Sequence, residues 1–295
     1  MTTIAMIGLG NMGSGMCQNL VANGFSVRAY DLNPAALEKA AQDGATPAET
    51  IQQAVADADF VVTMLPAGKH VLEVYFGDNG VANFAKKGTL FIDCSTIAVD
   101  EARQASEFSA AQGFAMVDAP VSGGIAAASN GALTFMVGGA DAAFAGAKPI
   151  LEAMGKTIVH AGASGNGQVA KIANNMLLGI SMIATCEAFE LAERLGLDAQ
   201  TFFDISSKAS GQNWSMTSYC PAPGPVPTAP SNNAYKAGFA VDMMLKDLRL
   251  AKAASQSVAA DTRFGDQAEA VYSSLSDDGH GALDFSAVMK FMGKD

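Results

Sequence analysis

The sequence predicts an α/β protein in which a doubly wound parallel sheet is followed by an all-α C-terminal domain. Three observations predict this class. Short apolar segments alternate with helix-like segments through the first half. The glycine-rich motif GLGNMG (8–13) begins at the last residue of the first apolar segment, TIAMIG (3–8). Strand signals stop after about residue 163. Strands that alternate with helices form mainly parallel sheets covered by helices on both faces.

The first half contains seven candidate strands, each a short apolar run. They are TIAMIG (3–8), SVRAYD (26–31), FVVTML (60–65), TLFIDC (89–94), AMVDAP (115–120), LTFMVGG (133–139) and TIVHAG (157–162). Helix-like segments lie between several of them, at 34–43, 47–57, 99–112 and 141–154. We therefore expect a first domain over residues 1–162.

The second half, 163–295, is predicted to be an all-helical domain that begins with a long interdomain helix. That helix covers 167–195, and further helical patterns follow near 199–209, 239–256, 260–274 and 283–292. One segment, CPAPGPVPTAPS (220–231), holds five of the ten prolines. It lies inside the helical half, so a linker and an ordered binding loop are equally compatible with it.

Composition and charge exclude several classes of protein. The chain has 295 residues, 49% of them hydrophobic, and 18 basic residues against 29 acidic ones, for a net charge of −11. A nucleic-acid partner and a basic membrane-binding patch are therefore not expected. The longest apolar run, MLLGISMIA, is too short to cross a bilayer, and MTTIAMIGLG does not resemble a signal peptide.

The four cysteines show neither a CxxC motif nor clustering with the three histidines. This pattern is typical of reduced thiols in a cytoplasmic protein, and no metal site is expected.

The motif GLGNMG has the spacing of the phosphate loop in Rossmann-type domains. Gly8 would permit the tight turn, Gly10 would let the backbone approach a pyrophosphate, and Gly13 would allow close packing of helix on strand. Amides at the start of the following helix would then face the phosphates. The predicted loop consists of Gly8, Leu9, Gly10, Asn11, Met12 and Gly13.

Asp31 ends the second candidate strand, 18 residues after Gly13. A carboxylate there can accept hydrogen bonds from the adenosine ribose hydroxyls, whereas it would repel a 2′-phosphate. No arginine directly follows it, so NAD is the predicted cofactor rather than NADP.

Ligands of this architecture bind outside the carboxyl ends of the strands. Those ends include Leu65-Pro66, Ser95-Thr96 and the run DAPVSGG (118–124). In that run the Ser122 hydroxyl and the free glycine amides that follow it could hold a carboxylate. The alternative is an ordinary glycine turn.

The long helix opens with GNGQVAKIANNMLLG (165–179), which places Lys171, Asn174 and Asn175 on one helical face with Gln168. One interpretation is a lysine that reaches water from a partly exposed helix. The other is a lysine in a cleft that the helical domain closes. Burial would lower the pKa of such a lysine, which could then accept a substrate proton, with Asn175 holding lysine and substrate.

These motifs resemble those of the β-hydroxyacid dehydrogenase family along essentially the whole chain. The resemblance is carried by GLGNMG, Leu65-Pro66, DAPVSGG, GQVAKIANNMLL and the later LKDLRLA. It implies that Lys171 is the catalytic lysine. It also assigns the substrate to Ser122, Gly123 and Asn175, and the cofactor to Leu65, Pro66 and Thr96.

The same resemblance singles out three further residues. Lys246 of LKDL matches a lysine at the cofactor and substrate cleft, although by itself it would be interpreted as a surface charge. His70 falls where a cofactor contact is expected, but its residue type is not diagnostic. Trp214 lies where the family lines the substrate pocket, and a simply packed aromatic ring is the alternative.

The activity that the resemblance implies is NAD-dependent oxidation of (S)-3-hydroxyisobutyrate to methylmalonate semialdehyde, a step of valine breakdown. Alternatives are a sibling reductase of tartronate, glyoxylate or succinate semialdehyde, and a non-catalytic NAD-binding sensor. A 6-phosphogluconate dehydrogenase would need a longer C-terminal domain and an arginine cluster. The apolar helix predicts a homo-oligomer, either a dimer or a tetramer.

Overall fold

The computed structural model of the chain describes residues 1–292, so the last three residues of the predicted second domain, 293–295, lie outside the described residues. The chain divides into two compact units, Met1–Lys171 and Ile172–Asp295. The division falls inside the long helix, a little beyond the predicted domain limit at residue 162.

A nine-stranded sheet organises the first unit, in the order β3-β2-β1-β4-β5-β6-β8-β7 with β9 beside β8. The strands are β1 (Thr3–Ile7), β2 (Ser26–Tyr30), β3 (Thr46–Pro47), β4 (Phe60–Thr63), β5 (Leu90–Asp93), β6 (Ala115–Asp118), β7 (Val121–Ser122), β8 (Leu133–Gly138) and β9 (Gly155–Gly162). The pairs from β3 to β6 are parallel, which confirms the predicted fold class. β8 runs antiparallel to β6 and β7, a reversal that the sequence pattern does not indicate.

Helices cover both faces of this sheet. They are α1 (Gly13–Ala22), α2 (Pro34–Gln42), α3 (Ile51–Val55), α4 (Gly68–Phe76), α5 (Val81–Phe84), α6 (Val99–Ala111), α7 (Gly124–Ser129) and α8 (Asp141–Glu152). Successive residues of β1 enter different cores: Ile4 and Met6 pack on one side, Ala5 and Ile7 on the other. This alternation is the period of two that a strand buried on both faces requires.

Several short elements of the first unit differ from the predicted ones. β3, β7, α4, α5 and α7 are not among the predicted segments. The helix expected over 47–57 is reduced to α3, which begins after Thr50, whose side chain accepts from the Gln53 amide. The two-residue strands and the helices of four to six residues have too few alternations or turns to produce a distinct hydrophobic period.

The second unit is helical. Its elements are α9 (Asn166–Arg194, which begins in the first unit), α10 (Ala199–Ser206), α11 (Trp214–Thr217), α12 (Val241–Ser257) and α13 (Arg263–Leu275). Its main core joins Met182 and Cys186 of α9 to Met244 and Leu248 of α12 and Tyr272 of α13. The segment predicted as a helix over 283–292 is instead a 3₁₀ helix, Phe285–Phe291.

The proline-rich segment 220–231 is an ordered part of the second unit. Ser231 Oγ donates to the Cys220 carbonyl at 2.7 Å, and the Tyr235 hydroxyl donates to the Pro221 carbonyl at 2.7 Å. Cys220 and Ala222 are buried against Phe189. The segment is therefore fastened to its own unit, and the linker interpretation is wrong.

Helix α9 is longer than the apolar run within it. By length and composition alone its 29 residues could span a membrane, a test that core helices of soluble proteins also pass, and 44% of its most apolar window is buried. The apolar run MLLGISMIA is therefore much shorter than the helix that contains it, and the run alone does not show whether the helix could span a membrane. Charged and amide side chains, Lys171 and Asn175, are among its buried residues.

Candidate active site

The glycine-rich loop lies between the end of β1 and the start of α1. Gly8 has a φ of +92°, and a Cβ there would collide with the Met64 carbonyl. A Cβ on Gly13 would collide with the Gly8 carbonyl, whereas a Cβ on Gly10 would meet nothing within 4 Å. Gly8 and Gly13 thus fold the turn, and Gly10 leaves its outer side open to a ligand.

This loop fits the pyrophosphate of a dinucleotide. Among the described residues no side chain caps the N-terminus of α1, and its first turn carries no acidic residue. Its amides and the positive end of the helix dipole therefore favour an anion over the open side of Gly10.

Asp31 directly follows β2 and lies beside the loop. Its Oδ2 accepts from the Leu9 amide at 2.6 Å, and its Oδ1 accepts from the Asn33 amide at 2.8 Å. The carboxylate is half-buried and held from both sides. The Asp31 carboxylate is therefore held in one position next to the predicted phosphate loop.

The ends of β4 and β5 are joined by hydroxyl groups. The Leu65 amide donates to Ser95 Oγ at 2.8 Å, and Ser95 Oγ donates to Asp93 Oδ1 at 2.6 Å. Thr63 Oγ1 donates to the same carboxylate oxygen at 2.7 Å. The backbone at Leu65, a predicted cofactor contact, is therefore positioned by a buried acid one strand away.

Asp93 is a carboxyl group in an apolar core. Burial raises its pKa, and the hydrogen bonds from Ser95 and Thr63 only partly oppose that effect. Its Oδ2 has no hydrogen-bond partner among the described residues. Such a group favours its neutral form more than an exposed aspartate does.

The other predicted cofactor contacts lie near the same strand ends. Pro66 is exposed and Thr96 is half-buried, each shortly after a strand. His70 is exposed on the first turn of α4. Because parallel strands end at one edge of the sheet, these residues lie on the side of the sheet where Rossmann-type domains bind ligands.

The run DAPVSGG passes from β6 through β7 to α7. Ser122 pairs with Thr134 of β8, and Gly123 follows with a φ of +130°. Gly124, with a φ of +69°, begins α7, and no side chain caps that helix among the described residues. Ser122 is thus followed directly by two glycines of positive φ at the start of a helix, and the carboxylate site there remains a prediction.

Lys171 is buried, with 6% of its surface exposed. It stands one turn after Gln168, whose side chain binds backbone groups that follow β5. Gln168 Nε2 donates to the Ser95 carbonyl at 2.8 Å, and the Ile97 amide donates to Gln168 Oε1 at 3.2 Å. The interpretation of Lys171 as an exposed, solvent-reaching lysine is therefore not supported.

In the second unit, Asn175 binds an acid that sequence reasoning missed. Asn175 Nδ2 donates to Asp247 Oδ2 at 2.6 Å, and Asn174 Nδ2 donates to Asn175 Oδ1 at 3.0 Å. Asp247 is 2% exposed, and Lys246 Nζ lies 3.8 Å from its Oδ1. The predicted residues Asn175 and Lys246 are thus linked through Asp247.

Trp214 begins α11 and is 51% exposed. Its ring stacks on Tyr219 at 5.0 Å between centroids, and the Tyr219 hydroxyl donates to Asp284 Oδ2 at 2.8 Å. One face of the Trp214 ring therefore packs on Tyr219, while about half of the residue's surface is exposed to solvent. A wholly packed aromatic ring does not describe it.

Five residues that organise these groups were not assigned roles from the sequence. They are Asp93, Ser95, Asp118, Gln168 and Asp247. One signal could have found two of them, since Asp93 and Asp118 each end an apolar strand at the ligand-binding edge. Asp247 adjoins the predicted Lys246, but its buried position depends on helix packing.

Comparisons with known proteins match both parts of the chain to known families. A family model described as the NAD binding domain of 6-phosphogluconate dehydrogenase matches residues 3–162. A second model, described as "NAD-binding of NADP-dependent 3-hydroxyisobutyrate dehydrogenase", matches residues 165–292. Together these models cover nearly the whole chain.

Individual relatives match over their full length. The 3-hydroxyisobutyrate dehydrogenase of Pseudomonas aeruginosa is 46% identical over 100% of both chains. An NAD-dependent L-serine dehydrogenase of the same organism is 44% identical over 98% of this chain and 97% of the relative. The solved structure of Mycobacterium tuberculosis 3-hydroxyisobutyrate dehydrogenase with L-serine has a TM-score of 0.95, 46% identity and 99% coverage of both chains.

Proposed function

This chain belongs to the β-hydroxyacid dehydrogenase family and is an NAD-dependent oxidoreductase, and from that premise we propose that it oxidises (S)-3-hydroxyisobutyrate to methylmalonate semialdehyde in valine breakdown. The observation that carries the proposal is Lys171, a lysine buried one turn from Gln168 in a chain 46% identical to 3-hydroxyisobutyrate dehydrogenases. These relatives do not favour a sibling reductase or a non-catalytic sensor.

In the proposed reaction the chain binds, orients and moves a proton. Ser122 Oγ and the amide of Gly123 hold the substrate carboxylate. The neutral amine of Lys171 accepts the proton of the substrate hydroxyl, which breaks the O–H bond as the carbonyl forms. When bound, NAD supplies the acceptor for the hydride that leaves the carbinol carbon.

The cofactor is held by the edge of the sheet in this proposal. The loop Gly8–Gly13 binds the pyrophosphate and Asp31 the adenosine ribose. Leu65, Pro66, His70 and Thr96 contact the remainder of the dinucleotide.

Three residues of the second unit complete the proposal through their positions in the family's motifs. Asn175 and Trp214 are assigned to the substrate, and Lys246 to both substrate and cofactor. The bonds of Asn175 to Asp247 and Asn174 support this assignment, because they fix the orientation of a buried amide that still has one N–H and one oxygen lone pair to offer.

The first experiment measures NADH and NADPH formation from a panel of hydroxyacids. We expect the highest kcat/KM with (S)-3-hydroxyisobutyrate and NAD. Glycerate, glycolate and 4-hydroxybutyrate, the alcohols that correspond to tartronate semialdehyde, glyoxylate and succinate semialdehyde, test the sibling enzymes in the oxidative direction. Bound NAD without turnover of any substrate would contradict the enzyme and support the sensor.

L-Serine is a second candidate substrate. It shares the carboxylate and the primary hydroxyl of 3-hydroxyisobutyrate, and a relative 44% identical to this chain is an NAD-dependent L-serine dehydrogenase. A higher kcat/KM for L-serine than for (S)-3-hydroxyisobutyrate would move the assignment to this substrate.

The proposed role of Lys171 has its own test. Lys171→Ala should lower kcat by about 100-fold or more, because general acid–base catalysis commonly contributes that much, while the Kd for NAD stays within about twofold. Lys148→Ala is the matched control, since Lys148 is an exposed lysine on α8 that pairs with Glu152. Unchanged turnover in Lys171→Ala would refute the proton-transfer role.

We also propose that the chain forms homo-oligomers, either dimers or tetramers. Large apolar side chains are exposed along and just after α9, with Leu177 63%, Leu191 62% and Leu195 78% exposed. Light scattering should give a mass above that of the 30.2 kDa chain, and Leu191→Glu should lower it. A monomer at all concentrations tested would contradict this proposal.

A cytoplasmic location and the domain limits 1–162 and 163–295 complete the proposal. The cysteines Cys17, Cys94, Cys186 and Cys220 are free and buried, as expected of a protein from a reducing compartment. The family models meet between residues 162 and 165. Cell fractionation tests the location, and expression of residues 1–162 alone tests the limits.

A further inference from the structure

Asp118 lies where strand β6 meets the start of helix α9. The side chain is 4% exposed. Its Oδ1 accepts from the Gly165 amide at 2.7 Å, and its Oδ2 accepts from the Gln168 amide at 3.1 Å. One carboxylate therefore binds two of the amides that a helix leaves without partners at its N-terminus.

Glycines make room for this carboxylate. A Cβ on Gly138 of β8 would lie 2.5 Å from Asp118 Oδ1, and a Cβ on Gly167 would lie 2.7 Å from Oδ2. Gly165 has a φ of +85°, which turns its amide toward the acid. The backbone at Gly138 and Gly167 therefore lies so close to the Asp118 carboxylate that a side chain at either position would collide with it.

A second attachment lies on the same helical turn. The Gln168 side chain, fully buried, binds the Ser95 carbonyl and the Ile97 amide after β5. The Ser95 hydroxyl in turn accepts from the Leu65 amide. The first turn of α9 is therefore attached to the ends of two neighbouring strands, and Lys171 follows Gln168 by three residues.

We infer that Asp118 is a positioning residue for proton transfer, which acts through α9 by fixing Lys171 relative to the Ser122–Gly123 turn. Asp118 ends β6 and Ser122 lies four residues later in β7, so one carboxylate connects the lysine helix to the segment that leads into the substrate turn. The inference rests on the proposed function, because it assigns Asp118 to the reaction in which Lys171 accepts the proton. Lys171 makes the chemical step, and Asp118 touches neither substrate nor cofactor in this role.

The charge state of Asp118 matters for this role. Burial raises its pKa to about 6, against the lowering effect of the Gly165 and Gln168 amides. The ionised form, which accepts from both amides, therefore predominates above pH 6. Protonation replaces one accepting site by a donor and weakens the attachment of α9.

Other titratable side chains lie on the elements packed around Asp118. Asp93 of β5 contributes to the raised pKa, and the Arg103 side chain of α6 packs against Gly165. His160 of β9 binds the Gly139 carbonyl at 2.8 Å, next to Gly138. On helix α9 the titratable residue of this set is Lys171, and strand β8 carries no titratable side chain.

A double-mutant cycle tests the inference after wild-type turnover has been measured. Asp118→Asn should lower kcat by about 10- to 100-fold, the scale of a misplaced catalytic group, with a change in KM of less than about threefold. In the Lys171→Ala background the same change should cause no further loss, because Asp118 acts only through the lysine. Additive losses, or an Asp118→Asn enzyme with wild-type kcat, would overturn the inference.

Two further measurements separate positioning from general stability. In the cofactor-free protein, Asp118→Asn should speed hydrogen exchange of the Gly165 and Gln168 amides. As the pH drops, the wild-type kcat should show a decrease near pH 6 that follows Asp118, and Asp118→Asn should lose this decrease while it keeps the pH dependence that the amine of Lys171 imposes. Asp141→Asn, which alters an exposed acid in the first turn of α8, should change neither the hydrogen-exchange rates nor the pH profile of kcat.

A substitute variant and the activity of the wild type distinguish failure of this inference from failure of the proposed function. If Asp118→Asn does not fold, Gln168→Met is the test variant, because it removes the second attachment at nearly constant volume. The inference then requires that Gln168→Met lower kcat by the same factor and that it cause no further loss in the Lys171→Ala background. A wild-type protein inactive on every hydroxyacid refutes the proposed function, and hydrogen exchange still reports on the Asp118 attachment. An active wild type with unchanged exchange in Asp118→Asn refutes this inference alone.

Discussion

At the scale of single residues, we propose that Asp31 selects the cofactor through the position of its carboxylate. Its two oxygens are bound by the amides of Leu9 and Asn33, so the side chain does not rotate freely. A fixed negative charge repels a phosphate more effectively than a mobile one, since it cannot turn away.

Asp31→Asn should therefore reduce the preference for NAD over NADP by about tenfold, because neutralisation removes the repulsion of the 2′-phosphate. The amide nitrogen of asparagine would also oppose one backbone donor and weaken NAD binding. Kd values for both dinucleotides measure the effect. Asp78→Asn, at an exposed acid, is the control, and an unchanged ratio of Kd values would show that Asp31 does not discriminate.

A second residue, Asp247, orients the amide of Asn175. Asp247→Asn should raise the KM for the hydroxyacid by about tenfold, since a hydrogen bond to a charged group contributes about 1.5–3 kcal/mol. The Kd for NAD should stay within about twofold. Steady-state kinetics test this beside Asp266→Asn, an exposed acid on α13. A KM equal to that of the wild type would exclude a role for Asp247 in substrate binding.

At the scale of elements, the start of α9 depends on the absence of side chains. Gly167 lies in the first turn of that helix, next to the Asp118 carboxylate and the Met136 carbonyl. Alanine normally stabilises a helix relative to glycine. Here the added carbon would displace backbone groups, so packing opposes helix propensity.

Gly167→Ala should consequently lower the free energy of unfolding by about 1–3 kcal/mol, the range for overpacked sites. Gly146→Ala provides a control of opposite sign, because Gly146 is exposed on α8 and its nearest neighbour is a flexible Leu90 side chain. Urea denaturation measures both variants. Equal effects in the two would show that the glycine cradle around Asp118 is unimportant for stability.

At the scale of the whole molecule, buried acids link folding to pH. The pKa of Asp118 is about 6 in the folded chain and 3.8 as its ordinary value, so the folded state binds the proton more tightly. The contribution of Asp118 to stability therefore decreases as the pH rises from about 4 to about 6, and it is constant above that range. Burial raises the pKa of Asp93 in the same direction.

The free energy of unfolding of the wild type minus that of Asp118→Asn should accordingly fall by about 2 kcal/mol between pH 4 and pH 7. Denaturant titrations across this range, with Asp141→Asn as control, measure the difference. A difference independent of pH would mean that Asp118 titrates at its ordinary pKa. This stability trend is opposite to the trend expected for kcat, so the two roles of Asp118 can be separated.

The sequence by itself determined the alternation of the longer strands and helices, the two-part organisation of the fold and the glycine loop. These features depend on local interactions: hydrophobic period, turn chemistry and the conformational freedom of Gly8. Helix α9 was predicted over 167–195 and lies at Asn166–Arg194. The positions of Lys171, Ser122 and Asp31 followed from motifs of a few residues, because each motif occupies one strand end or one helical turn.

Only the tertiary structure decided which acids hold these motifs in place. The bonds of Asp118 to Gly165 and Gln168 join residues 47 and 50 positions apart, and the bond of Asn175 to Asp247 joins residues 72 apart. Local propensity contains no information about such pairs, since both partners are compatible with many other surroundings. Burial makes these contacts strong and shifts the pKa of Asp118, and burial exists only after the strands and helices have packed.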